Sequence, residues 1–175
     1  VQVSNNTILN VPNTGNFGND PSSTSFGLAR DLTIDVGSNF AMDYGLQGNK
    51  SGSVIVGRNI NIAGSLSLGD AIGGDLFVGG NWTRTGTFTP RLVTFNGTSA
   101  QTLTGITTFD YLTLNNSLGL TLQASSAITV NQTLGFTLGK ITIGANNLTV
   151  GSTGTITGYS TSNYVVTAST GKLVK

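Results

Sequence analysis

Apolar and polar residues alternate over very short stretches of this chain, in triplets of an apolar residue, a threonine and an apolar residue. Four triplets follow one another at intervals of eight residues, beginning at Leu112, Leu120, Ile128 and Phe136. Four more begin at Leu32, Val93, Ile141 and Leu148. Because side chains alternate between the two faces of a strand, each triplet predicts a short strand with its apolar residues inward and its threonine outward.

Strands this short are not stable as isolated hairpins, but they become stable when many of them stack in parallel. The candidate first strands of successive coils are 16 to 22 residues apart. They begin at Leu32, Val54, Leu76, Val93, Leu112, Ile128 and Leu148. This periodicity predicts an all-β fold, a single-stranded parallel β-solenoid (β-helix) of about eight short coils and roughly 40 Å in length. A β-sandwich or an up-and-down barrel is the alternative all-β architecture.

The composition supports short strands joined by sharp corners. Only 9% of the residues are charged and glutamate is absent, so strong helix formers are scarce. The 25 glycines and the many asparagines suit the left-handed conformations that corners require. Asparagines at equivalent corners, among them Asn81, Asn131 and Asn147, are expected to form side-chain ladders that bond the backbone of the turns.

We predict one continuous domain over residues 1–175, because no stretch has the composition of a linker. Residues 1–31 are irregular and hold two of the three prolines, which predicts an N-terminal coil or cap. Residues 32–90 predict longer coils, and residues 91–175 predict the most regular ones.

The residue inventory excludes several kinds of chemistry. Histidine and cysteine are absent, so zinc sites and Ser-His-Asp or Cys-His nucleophile systems are not available. The eight basic residues are scattered, which argues against nucleic-acid binding, and no apolar run reaches the roughly 18–20 residues of a membrane span. Asp31 and Asp35 would lie about 13 Å apart along a strand, too far to act as a catalytic pair. We therefore predict no catalytic residues, no metal and no cofactor, with a lone calcium ion near Asp70 or Asp75 left open.

Three runs of sequence carry a resemblance to a known group of proteins. They are GGDLFVGGNWTRTGTFTP at 73–90, VTFNGTSAQTLTGITTFDYLTLNNSLGLTL at 93–122 and GSTGTITGYSTSNYVVTASTGKLVK at 151–175. These runs resemble repetitive β-solenoid segments of large secreted proteins of Bacteroidetes-type bacteria, which are cargo of the type IX secretion system. The resemblance implies a secreted or cell-surface location and a structural or adhesive role, and it transfers no catalytic residue. Because those proteins carry a signal peptide and a sorting domain that this sequence lacks, the resemblance implies a fragment or a matured chain.

Exposed aromatic side chains stack on sugar rings, so four of them are candidate ligand contacts: Trp82, Tyr111, Tyr159 and Tyr164. Most phenylalanines, by contrast, lie at inward triplet positions. A glycan-binding module is therefore the alternative function. Two further functions are less favoured. One is a polysaccharide-degrading enzyme. The other is an ice-binding protein, which is suggested by outward Thr-x-Thr pairs such as Thr155-Ile156-Thr157.

The last segment, residues 164–175, is strand-like, and an open strand edge pairs readily with another chain. The candidate residues of an end-to-end assembly strand are Tyr164, Val165, Val166, Leu173 and Val174. We predict a structural or adhesive extracellular module, either a stiff spacer of a bacterial surface protein or a self-assembling fibre. Its expected partners are neighbouring repeats or other copies of itself, and surface glycans in the alternative.

Overall fold

The computed structural model describes residues 2–3, 8–12, 24–43, 52–68 and 75–175, with side chains over 27–40, 53–68 and 76–175. The described residues form strands, turns and bends, and none of them is helical. Accordingly, this part of the chain holds no helix that is long and apolar enough to span a membrane.

The strands are short throughout the first half of the chain and include two long ones in the second half. In order, the first twelve are β1 (Gln2–Val3), β2 (Ile8–Pro12), β3 (Thr24–Leu28), β4 (Leu32–Ile34), β5 (Asn39–Asp43), β6 (Gly52–Val56), β7 (Ile60–Ile62), β8 (Ser65–Ser67), β9 (Asp75–Val78), β10 (Trp82–Arg84), β11 (Thr87–Thr89) and β12 (Leu92–Phe95). The remaining strands are β13 (Gln101–Thr104), β14 (Ile106–Asn115), β15 (Leu120–Leu122), β16 (Ala127–Leu138), β17 (Ile141–Thr142), β18 (Asn147–Val150), β19 (Thr155–Thr157), β20 (Val165–Val166) and β21 (Leu173–Val174).

The strands stack in parallel into a β-solenoid, which confirms the predicted fold class. Sheet A has eight strands in the order β1-β4-β7-β10-β13-β15-β17-β20. Sheet B has four strands, β2-β5-β8-β11, and sheet C runs β3-β6-β9-β12-β14-β16-β18-β21 with β19 paired to β16. Every described pairing is parallel, and each strand inside a sheet pairs with the coil before and the coil after it. Strands β1, β2 and β3 lie within residues 1–31, and the residues between these three strands are outside the described part.

The coils are not uniform, so the predicted count of about eight differs slightly from what the continuous part of the chain shows. Residues 75–175 make about five turns. Strands β1, β4 and β7, which precede this part of the chain, extend sheet A further. The first four coils have a strand on each of three faces. In the coils of β14 and β16, one long strand covers two faces: residues 127–130 of β16 pair with β18, and residues 133–135 pair with β19.

The core consists of files, meaning inward residues that pair in register on successive coils of the solenoid. One file is Val54, Leu76, Val93, Leu112 and Leu134, each at most 1% exposed. The predicted inward pattern of the triplets is therefore confirmed at Leu112-Thr113-Leu114 and at most of the others. It fails at Leu138, which is 49% exposed because β16 ends there.

The predicted series of first strands is wrong at two steps. Leu32 pairs with Ile60 in sheet A, whereas Val54 lies in sheet C and pairs with Leu76. Ile128 pairs with Thr107 and Leu148, while Leu112 pairs with Leu134. The step of eight residues therefore leads from one face of a coil to the next face, and the step to the equivalent position on the next coil is 22 residues here.

Polar side chains at one corner bond the backbone of the following coil. The Asn59 N–H donates to Asp31 Oδ1 at 2.9 Å, the Asn81 N–H to Asn59 Oδ1 at 2.9 Å, and the Thr102 N–H to Asn81 Oδ1 at 2.8 Å. This confirms the expected asparagine ladder, and it satisfies backbone donors that face no strand partner at the corner.

A second polar cluster is fully enclosed by the coils. Asn116 donates through Nδ2 to Ser99 O at 2.7 Å and to Gln101 Oε1 at 2.9 Å, and its Oδ1 accepts from the Leu118 N–H at 2.9 Å. Gln101 Nε2 donates to Val78 O at 2.8 Å. Because both side chains are nearly inaccessible, these bonds fix the corner between three successive coils.

Candidate functional site

The strands of the last coil have open edges. Among the described residues, β20 is the outermost strand of sheet A, β21 is the outermost strand of sheet C, and β19 pairs only with β16. An unpaired parallel edge presents N–H and C=O groups to any strand that approaches it.

The predicted assembly strand is divided between two faces. Val165 and Val166 form β20, Leu173 and Val174 form β21, and Tyr164 lies just before β20. The chain turns between these strands, and Gly171 permits the turn because an added Cβ would lie 2.0 Å from Asn146 O. The expectation of one strand-like segment is therefore corrected to two short strands.

Four inward files end at this coil, and the space beyond their last members is a cavity of about 300 Å³. The file through Leu134 ends at Ile156, and the file through Leu114 ends at Phe136. The other two end at Val165 and Leu173. The cavity is lined by these four residues together with Tyr159 and Tyr164. No described residue continues these files beyond the last coil, and Gly158 lies so close to Phe136 that an added Cβ would be 1.9 Å from Phe136 O.

Tyr159 and Tyr164 are held at this cavity by a compact loop. The Ser160 N–H donates to Asn163 O at 2.8 Å, and the Gly139 N–H donates to Asn163 Oδ1 at 2.9 Å. These bonds tie the loop to the coil beneath it. The ammonium of Lys140 lies 4.9 Å from the centre of the Tyr164 ring, a cation–π distance that fixes one side of that ring.

Exposed apolar side chains are concentrated here. We call Tyr159, Tyr164, Leu173 and Val174 the end patch; they are 69%, 38%, 39% and 41% exposed. Tyr159, Tyr164 and Leu173 line the same cavity, and exposed apolar residues grouped in this way are typical of an interaction site.

The other two predicted ligand contacts lie elsewhere, and one prediction is corrected. Trp82 is fully buried, with its ring centre 5.1 Å from Phe88, 5.5 Å from Phe109 and 6.2 Å from Phe95, so it belongs to the core. Tyr111 is half-buried, and the guanidinium of Arg91 lies 5.2 Å from the centre of its ring. The structure therefore brings together only Tyr159 and Tyr164.

The described acidic side chains do not converge. Asp31 is paired with Arg58 at 3.7 Å, and Asp110 accepts a bond from Asn131 Nδ2 at 2.8 Å. Within the described ranges, no group of three or more His, Cys, Asp or Glu residues could hold a metal ion. Asp70 and the side chain of Asp75, where a lone calcium ion was left open, lie outside the described residues.

Burial lowers the pKa of the Arg84 guanidinium, which donates to Ile106 O, from its ordinary value.

Sequence reasoning missed Phe136, Ile156 and Lys140 as parts of this site. The signal was available for Ile156, because Thr155-Ile156-Thr157 was interpreted as an outward pair of threonines, and the same alternation places Ile156 inward.

Comparison with protein-family models, curated proteins and solved structures finds no match for this chain.

Proposed function

We propose that this chain is a structural module, a stiff β-solenoid spacer of a secreted or cell-surface protein, and that it is not an enzyme. The observation that carries the proposal is the stacking of apolar files along parallel sheets, which continues through the two register shifts between β14 and β16. Each coil bonds to the coils on both sides, so the length of the rod is set by the number of coils. The eight strands of sheet A, at roughly 4.8 Å per step, span about 34 Å.

The corners add stiffness to this arrangement. The ladder from Asp31 through Asn59 and Asn81 links successive coils by side chain to backbone bonds that do not depend on charge pairing. The ion pair of Asp31 with Arg58, exposed on both sides, contributes little in comparison. A spacer built in this way holds its length in salt and without disulfides, and the chain has no cysteine.

The extracellular location rests on the resemblance of residues 73–122 and 151–175 to secreted solenoid repeats. The glycan-binding alternative is less well supported. A sugar site combines a stacking ring with several hydrogen-bonding groups, and the cavity beside Tyr159 and Tyr164 offers only the tyrosine hydroxyls among aliphatic and phenylalanine side chains.

Single-molecule pulling tests the spacer. Handles attached at Ile55 and Thr157 load the rod across successive coils, and a Gly/Ser linker with the same number of residues is the control. We expect resistance followed by steps of about 70 Å, the extended length of one coil of roughly 20 residues. Continuous lengthening like that of the linker would contradict the proposal, and so would release of soluble product from a polysaccharide.

A further inference from the structure

We propose that the end patch binds the N-terminal coil of a second copy of this chain, so that copies stack head to tail into a linear filament. This inference rests on the proposed structural function and names the partner of its open end. Three independent features of the chain support it: the polarity of the strands, the continuation of the apolar files, and the distribution of charge along the sequence.

Strand polarity favours head-to-tail stacking over a two-fold dimer. Among the described residues, β1 and β3 are the outermost strands of sheets A and C at the end opposite the last coil, and β2 is the outermost strand of sheet B, whose other end is β11. All described pairings are parallel, so a copy translated along the axis presents β1 and β3 in the direction that the open edges of sheets A and C require. Two last coils face to face would pair their edges antiparallel instead.

The apolar files continue across such a junction. In the file that ends at Ile156, the backbone position in register before Val54 is that of Phe26. The file that ends at Phe136 begins at Leu28, which pairs with Val56 and packs against the core. A second copy stacked in this way places Leu28 at the next position of the file that ends at Phe136, beside the cavity, and it places the backbone of Phe26 next in register after Ile156.

The net charge of the side chains has opposite signs in the first and the last part of the sequence. Counting side chains, the first 75 residues hold six aspartates and three basic residues, a net charge of −3. Residues 111–175 hold three lysines and no acidic residue, a net charge of +3. Two of these lysines, Lys172 and Lys175, flank the end patch. The ends are about 34 Å apart, several times the screening length of about 8 Å at physiological salt, so like ends repel and unlike ends attract.

A contact between two different surfaces that repeats by translation does not close on itself, so it produces a filament rather than a dimer. This consequence separates the proposal from a two-fold interface, in which one patch would meet its own copy and assembly would stop at two chains.

Sedimentation velocity and electron microscopy of the 175-residue chain test the proposal. The end-patch variant is Tyr159→Ser. Its matched control is Ile106→Ser, because Ile106 is 68% exposed on the side of the rod and Tyr159 is 69% exposed at its end. We expect wild type and Ile106→Ser to form linear species that lengthen with concentration. Tyr159→Ser should need about tenfold more protein for the same assembly, as is typical when a central aromatic anchor is removed.

A second variant tests the charge component. Replacing Lys172 and Lys175 by glutamate reverses the sign of the last coil, and it should weaken assembly most at low salt. Unchanged emission from Trp82, which lies deep in the core, verifies that each variant is folded.

The proposal is overturned by a monomer at all concentrations, by a dimer that does not grow, or by equal effects of the Tyr159 and Ile106 variants. Glycan binding that Tyr159→Ser abolishes, in a chain that stays monomeric, would assign the end patch to a sugar instead. A monomer that still unfolds in coil-sized steps would overturn the assembly and leave the spacer function standing.

Discussion

The indole Nε1–H of Trp82 donates a hydrogen bond to Oγ1 of Thr107 at 3.2 Å, and neither residue is exposed to solvent. The two residues come from adjacent coils, and Thr107 takes an inward position in register with Ile128. A threonine replaces an aliphatic residue in this file because the buried indole N–H needs an acceptor.

Thr107→Val is expected to cost about 1–3 kcal/mol of unfolding free energy, because it leaves the indole N–H buried without a partner. Urea denaturation measures the loss. In a Trp82→Phe background, which has no such donor, the same substitution should cost much less. An equal cost in both backgrounds would show that the hydrogen bond contributes nothing.

Trp82 is the one tryptophan of the chain, so its fluorescence reports on this position alone. We expect blue-shifted emission and weak quenching by iodide or acrylamide in the native protein, and a red shift on unfolding, because the ring is enclosed by three phenylalanines. Quenching as efficient as that of a free tryptophan would mean that Trp82 is accessible after all, as a ligand contact would require.

Asn116 and Asn115 are neighbours in sequence with opposite surroundings. Asn116 is 2% exposed and bonds four other residues through its amide, whereas Asn115 is exposed. Asn116→Ala should destabilise the protein by about 2–3 kcal/mol, because it leaves buried partners of the network unsatisfied. Asn115→Ala is the matched control and should change stability by less than about 0.5 kcal/mol. Similar midpoints for the two variants in thermal or urea unfolding would contradict the enclosed network.

Gly139 and Gly144 separate backbone strain from steric conflict. Both have positive φ, +95° and +59°, so alanine is strained at either position. An added Cβ at Gly139 would lie 1.9 Å from Asn116 O, whereas at Gly144 it would meet nothing within 4 Å. Gly139→Ala should therefore cost about 1–3 kcal/mol more than Gly144→Ala. Equal costs would mean that adjacent coils are not packed as closely as the structure shows.

The alternation of apolar residues and threonine was sufficient to predict parallel coils, because a three-residue strand can bury its two apolar residues only in a stack. The number of faces per coil could not be predicted in the same way. An apolar triplet has the same appearance on every face, so the step from Leu112 to Ile128 resembled one coil, although the true partner of Leu112 is Leu134. The early coils are longer, and their period was hidden for the same reason: the partner of Leu32 on the next coil is Ile60.

The candidate site was predictable only in part. Tyr159 and Tyr164 stood out because they are aromatic and lie outside the triplets. Trp82 stood out for the same reason, but no local pattern indicated that Phe88, Phe95 and Phe109 would surround it. Those contacts join three different faces, so they depend on how the faces close around the core. The cavity at the last coil also arises where files from several faces end, which is a property of the assembled stack.

Distances between spin labels along one outward file of sheet C test the solenoid most directly, and the absence of cysteine allows labels at single introduced cysteines. Ile55 is three register steps from Thr113 and five from Thr157. At roughly 4.8 Å per step, we expect backbone separations of about 14 Å and about 24 Å, each with a narrow distribution. Separations that do not grow with the number of steps, as in antiparallel hairpins of a sandwich, would contradict the parallel stack.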